Sequence, residues 1–219
     1  MTDDPCPCCG DVDDPNAEHE TSASQRSDDV SVLDAELPRD LQLALGRFLG
    51  TKAIETLGEW ATEVRHHVGG SISIEQLCLS SDQTDHWGSV DGDRYYFACF
   101  YDAVILAALS ERPVDIHTVS PDDDVIEARA IGSNDLTVTP DGAVFSFGIE
   151  TTVASPVGDG PTLEHGYSSI CPYVKAFSDF EAYERWAERV PAATIAMPLA
   201  GATELAAELV NGASENPSG

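Results

Sequence analysis

Apolar positions along the chain change period several times, and each change marks an element. From Pro38, "LPRDLQLALGRFLG" puts Leu41, Leu45, Phe48 and Leu49 on one helical face, with Gly50 as a stop. "TKAIETLGEWATEVRHHVGG" repeats the pattern with Ile54, Leu57, Ala61 and Val64, and ends at Gly69-Gly70. Ser71–Ser80 alternates only in part and reads as a strand or a short helix. Asp91-Gly92 predicts a turn, and Tyr95–Phe100 an approach to a helix over Cys99–Leu109. Then "VDIHTV", "DVIEARAI", "DLTVTP" and "AVFSFGI" read as strands of a meander-like antiparallel sheet. "SDFEAYERWAERV" opens on an apparent capping box, Ser178-x-x-Glu181, and presents Phe180, Tyr183 and Trp186-Ala187 inward. "ATIAMPL" predicts a last strand and "GATELAAELV" a last helix. The fold class is α+β: antiparallel sheet flanked by helices, with a short N-terminal helical segment and an acidic, Cys-containing tail.

Composition divides the chain further. Residues 1–36 hold eleven Asp or Glu against the single Arg26, with almost no periodic apolar positions. Such a segment buries too little surface to offset its ordering entropy, so disorder is expected there. The predicted divisions are the tail at 1–36, a helical segment at 37–85, an α+β core at 86–212 and a loose end at 213–219.

Charge sets limits on partners. The 219 residues carry 39 acidic and 11 basic side chains, a formal net charge of −28, and only two of the basic residues are lysines, Lys52 and Lys175. A surface this acidic repels nucleic acid and anionic membrane. Concentrated salt screens its self-repulsion, which points to a hypersaline cytoplasm. No run of about 18 apolar residues marks a membrane span. "MTDDPCPCCG" lacks the basic start and apolar run of a secretory signal. A cytoplasmic location follows, with reduced thiols as ligands or nucleophiles rather than disulfides.

One stretch carries candidate chemistry. "FACFYDAVILAAL" sets Cys99 and Asp102 three residues apart in an otherwise apolar segment. At a helix start, unpaired N–H groups and the helix dipole favour a thiolate. An acid at i+3 lies on the same face, and charge repulsion with desolvation makes the pair keep one proton between them. Buried cysteines and first-turn acids also occur as plain packing and dipole partners, so this spacing alone does not decide. Cys171, ahead of Pro172, is predicted on a loop before the capped helix. Cys78 has no acid, base or second thiol near it in sequence and reads as a packed small side chain. None of the six histidines shows ligand spacing, and no Gly-rich phosphate loop is present.

Taken together, "VDGDRYYFACFYDAVILAAL", "LTVTPDGAVFSF" and "SSICPYVKAFSDFEAYERWAERVPAATIAMPL" resemble the organomercurial (alkylmercury) lyase family over about residues 86–210. Tyr96, Cys99, Asp102 and Cys171 occupy that family's Tyr-x-x-Cys-x-x-Asp and second-cysteine positions. The resemblance implies protonolysis of a carbon–mercury bond to a hydrocarbon and Hg(II), with Cys99 and Cys171 as mercury ligands and Asp102 as proton relay. Mercury is soft and prefers thiolates, so these residue types suit that cargo. No organic cofactor is implied. External thiols or a mercuric reductase would take the Hg(II). A non-catalytic carrier or sensor of Hg(II) or Cu(I) is the alternative from another class, and Asp102 favours the enzyme because a carrier has no use for an acid. A thiol oxidoreductase is disfavoured by the absence of C-x-x-C.

"PCPCCG" adds Cys6, Cys8 and Cys9. Three clustered thiols suit a soft ion at low coordination number, Hg(II) handed on from the core, with zinc as the other candidate.

Overall fold

The computed structural model describes residues 31–70, 72–133, 135–154 and 160–211. Cys6, Cys8, Cys9 and the end at 213–219 lie outside them. The fold takes in residues assigned above to the acidic tail. Val32 is buried with its methyls packed over Gly201, and Glu36 pairs with Thr56 in an isolated antiparallel bridge.

Helix α1 (Arg39–Leu49) ends at Gly50 in the left-handed region, φ 71°, where glycine avoids a Cβ clash. Helix α2 (Leu57–Val68) starts later than its apolar pattern suggested. Thr56 caps it by accepting the Glu59 N–H, leaving Ile54 buried ahead of the helix. A short 3₁₀ turn over Ile74–Gln76 resolves the ambiguous stretch. Strands β1 (Trp87–Val90) and β2 (Asp93–Tyr96) then form a hairpin, and its turn residues Asp91 and Gly92 both have positive φ, as a two-residue hairpin turn requires.

Helix α3 (Tyr101–Ser110) is apolar on every side, and Tyr101 to Ala108 are all buried. Such a helix belongs in the interior. It lies between the first sheet and the last helix, α6 (Ala202–Asn211). Strands β3 (Pro113–Val119), β4 (Val125–Ile131) and β5 (Asp135–Thr139) form the expected meander, giving a five-stranded antiparallel sheet of order β2-β1-β3-β4-β5.

The meander stops there, contrary to the single run of strands that the sequence suggested. Strand β6 (Val144–Glu150) leaves for a second sheet, where it is the centre strand between β7 (Ala176–Phe177) and β8 (Ala192–Pro198). Burial explains the switch. β5 alternates exposed and half-buried positions, whereas β6 is buried at every position from Val144 to Ile149. A strand apolar on both faces needs cover on both faces. Helix α1 packs on β6 and β8, as does α5 (Phe180–Ala187), which adds an aromatic cluster of Phe177, Tyr183 and Trp186.

The capping box expected at Ser178 is also replaced. Asp179 caps α5 by accepting the Ala182 N–H at 2.8 Å, while the Ser178 hydroxyl donates to Asp124. A carboxylate one residue nearer the helix reaches its orphan donors better. Among the described residues no helix is long and apolar enough to cross a membrane.

Candidate active site

The segment before α3 is fixed by strand-like pairing. The Phe97 N–H donates to the His86 carbonyl, and the Ala98 N–H to the Cys78 carbonyl. This pins Cys99 just outside the helix: α3 begins at Tyr101 after Phe100, two residues later than the sequence suggested. Asp102 occupies the first turn, and the Tyr101 hydroxyl donates to the Ala202 carbonyl at 2.7 Å, tying this turn to the start of α6. Cys171 arrives from far along the chain. It opens a 3₁₀ turn, Cys171–Tyr173, directly after helix α4 (Leu163–Ser169), an element the sequence reading did not contain.

These three side chains meet. The Cys99 thiol donates to Asp102 Oδ2 at 3.4 Å, and Cys171 lies within hydrogen-bonding reach of Cys99. Cys99 is 3% exposed and Asp102 7%, while Cys171 is half-buried. All three line a cavity of about 290 Å³, whose walls are largely apolar and include Phe48, Trp60, Ile105, Phe147 and Leu209. Tyr96 stands apart, paired with Trp87 in the hairpin. Among the described residues no group of three or more His, Cys, Asp or Glu side chains could hold a metal ion. Two sulfurs and one acid are what these three side chains offer to the cavity.

A family model for alkylmercury lyase matches residues 79–211, more than half of the chain and all three of these side chains. The chain belongs to the alkylmercury lyase family. Among solved structures, the crystal structure of the mercury-bound form of MerB2 is similar at 15% sequence identity and a TM-score of 0.46, over 80% of this chain and 92% of that one. No curated protein sequence matches.

Electrostatics in this alkylmercury lyase departs from one expectation. Helix-dipole stabilisation of a Cys99 thiolate is outweighed: the hydrogen bond with Cys171, then burial, then the charges of Asp102 and Cys171 hold the thiol well above its ordinary range. Burial likewise pushes the Asp102 carboxyl from 3.8 up to about 6, opposed by hydrogen bonds from the Cys99 thiol and the Cys78 backbone N–H. Both groups resist ionisation, in keeping with a pair that retains a proton.

Two residues close to this cluster were missed from sequence. Cys78 is half-buried, and burial followed by the charges of Asp102 and Cys171 raises its thiol to about 11. Tyr167 lines the cavity and donates its hydroxyl to the Gln76 carbonyl, so α4 is latched to the turn before Cys78. The signal for either was long-range pairing, which spacing along the chain does not carry. Three histidines serve the scaffold, while His67 lines the cavity. His86 bonds Thr118 and is kept neutral by burial and by Lys175, which lower it to about 4; His117 stacks on Trp87, and His165 sits in the capping box of α4.

Proposed function

We propose that the protein cleaves the carbon–mercury bond of organomercurials by protonolysis, with Cys99, Asp102 and Cys171 as the reacting groups. The observation that carries this is the buried Cys99–Asp102 hydrogen bond beside Cys171 in the lining of a largely apolar cavity. Asp102 takes the Cys99 proton as the sulfur bonds R–Hg⁺. Cys171 adds a second sulfur and releases its proton to solvent. The added thiolate raises electron density on the bound carbon, and Asp102 delivers its proton there. R–H leaves, and Hg(II) stays on two thiolates. Two thiol protons are released, one to carbon and one to water, and no redox change occurs.

Hg(II) then passes to external thiols or to a mercuric reductase, and Cys6, Cys8 and Cys9 act as a tethered first acceptor. Zinc on that cluster is the competing assignment. The acidic surface suits a salt-rich cytoplasm.

The test is release of benzene from phenylmercury by the purified protein, in high salt with excess thiol, beside Asp102→Ala and Cys99→Ser. Benzene from the wild type alone supports these roles. Stoichiometric mercury binding without benzene would favour the carrier. For the hand-off, deletion of residues 1–30, which stops short of buried Val32, is expected to slow multiple turnover without added thiol and leave single turnover intact.

A further inference from the structure

The reacting side chains all lie within the family-matched segment, which begins at residue 79. Much of the cavity does not. Phe48 and Leu49 of α1 and Trp60, Val64 and Val68 of α2 line it from outside that segment. This wall is held firmly. Trp60 is 9% exposed and meets Phe147 of β6 edge-on, with ring centroids 4.8 Å apart at 66°. Arg65 pairs with Glu208, and α2 packs along α6, whose Leu205 and Leu209 also face the cavity.

Size argues for what this wall contacts. An apolar cavity of about 150 Å³ accommodates a benzene molecule. At about 290 Å³ this one takes an aromatic ring together with the mercury it is bonded to. A methyl group would leave most of the apolar lining without partner atoms and forfeit those contacts. Trp60 and Phe147 already pack in the edge-to-face arrangement that a third ring extends. The Trp60 indole N–H has no hydrogen-bond partner among the described residues, so what the ring offers here is shape and apolar surface.

We infer that the wall built by α1 and α2, Trp60 included, sets the specificity of the site and selects arylmercury over methylmercury substrates. This rests on the lyase reading above. Phe48 and Val64 line the same cavity as Trp60 and limit how large the ring and its substituents can be.

The full chain is assayed with phenylmercury and with methylmercury, each in excess thiol, for kcat and KM. The wild type is expected to favour phenylmercury at least about tenfold in kcat/KM, the scale of discrimination an apolar pocket provides. Trp60→Ala is expected to lower kcat/KM for phenylmercury about tenfold, mainly through KM, and to change methylmercury turnover less than about threefold. Trp60→Phe keeps a ring and is expected to restore most of the preference. Val64→Phe fills the cavity instead of enlarging it, so it remains informative where Trp60→Ala does not fold. Its expected result is the same selective loss on phenylmercury. Equal kcat/KM for the two substrates in the wild type would overturn the inference, as would equal losses on both in Trp60→Ala and Val64→Phe. Cleavage of neither substrate by the wild type would bring down the lyase reading, and the inference with it.

Discussion

The Cys99 thiol donates a hydrogen bond to Asp102 Oδ2 across 3.4 Å, with both side chains inside the hydrophobic core. Two anions this close and this dry would repel strongly, so the pair holds a proton. That proton lies between the atom suited to bind mercury and the group suited to protonate carbon.

Rate is expected to depend on pH. In the proposed mechanism Asp102 accepts the Cys99 proton, which requires its ionised form, and burial places its carboxyl at about 6. The kcat/KM for an organomercurial is therefore expected to rise with pH along a limb centred near 6. Asp102→Asn is expected to lose about 10²–10⁴-fold in rate, the usual worth of a positioned acid–base group, along with that limb. A profile flat between pH 5 and 7 in the wild type would contradict the assignment.

Stability shares the same linkage with a definite sign. The folded carboxyl titrates near 6 and the unfolded one near 3.8, so between these values the folded state binds the extra proton. This contribution is fully present below about pH 4 and lost as pH rises through 6. It amounts to roughly 3 kcal/mol for a shift of about two units. Asp102→Asn carries no such penalty. Its stability relative to wild type is expected to increase from pH 4 to pH 7, read as the difference in denaturant midpoints. A difference that stays constant or shrinks would rule out a raised carboxyl.

Gly46 reverses an ordinary rule. Glycine to alanine inside an exposed helix normally stabilises by about 1 kcal/mol. Here α1 packs against the returning chain so closely that a Cβ at Gly46 would lie 2.2 Å from the Lys52 carbonyl oxygen. Gly46→Ala is expected to destabilise by about 1–3 kcal/mol through overpacking. Thermal unfolding of the variant checks the sign directly.

At the start of α5, Asp179→Ala is expected to cost about 1 kcal/mol, since it removes the acceptor for the Ala182 N–H. Ser178→Ala removes only an exposed contact with Asp124 and is expected to stay within about 0.5 kcal/mol. The reverse order in chemical denaturation would restore the capping box read from sequence.

Salt is the last variable. With a net charge of −28, raising KCl from 0.1 to 3 M shortens screening from about 10 Å to below 3 Å. The unfolding midpoint is expected to rise by roughly 2–4 °C for each kcal/mol of repulsion relieved. A midpoint that falls with added KCl would remove the argument for a salt-adapted surface.

Several elements were legible in sequence because their causes are local. The periodicity of α1 and α2, the Gly50 and Gly69 stops, the Asp91-Gly92 turn and strands β3 to β5 rest on residues within a few positions of one another. The errors have long-range causes. Strand β6 left the meander because both its faces are apolar, and α3 starts late because Ala98 is tied to Cys78.

The sequence by itself determined which chemistry was available: soft sulfur donors at Cys99 and Cys171, an acid at Asp102, and a net charge of −28. Tertiary structure alone decided that a thiol 72 residues downstream reaches the first one, that Cys78 stands beside them, and that α1 and α2 line one largely apolar cavity with Cys99, Asp102 and Cys171. The physical reason is that donor identity is a property of a side chain, whereas protonation and substrate fit depend on burial and distance. Both are set by which distant segments pack together.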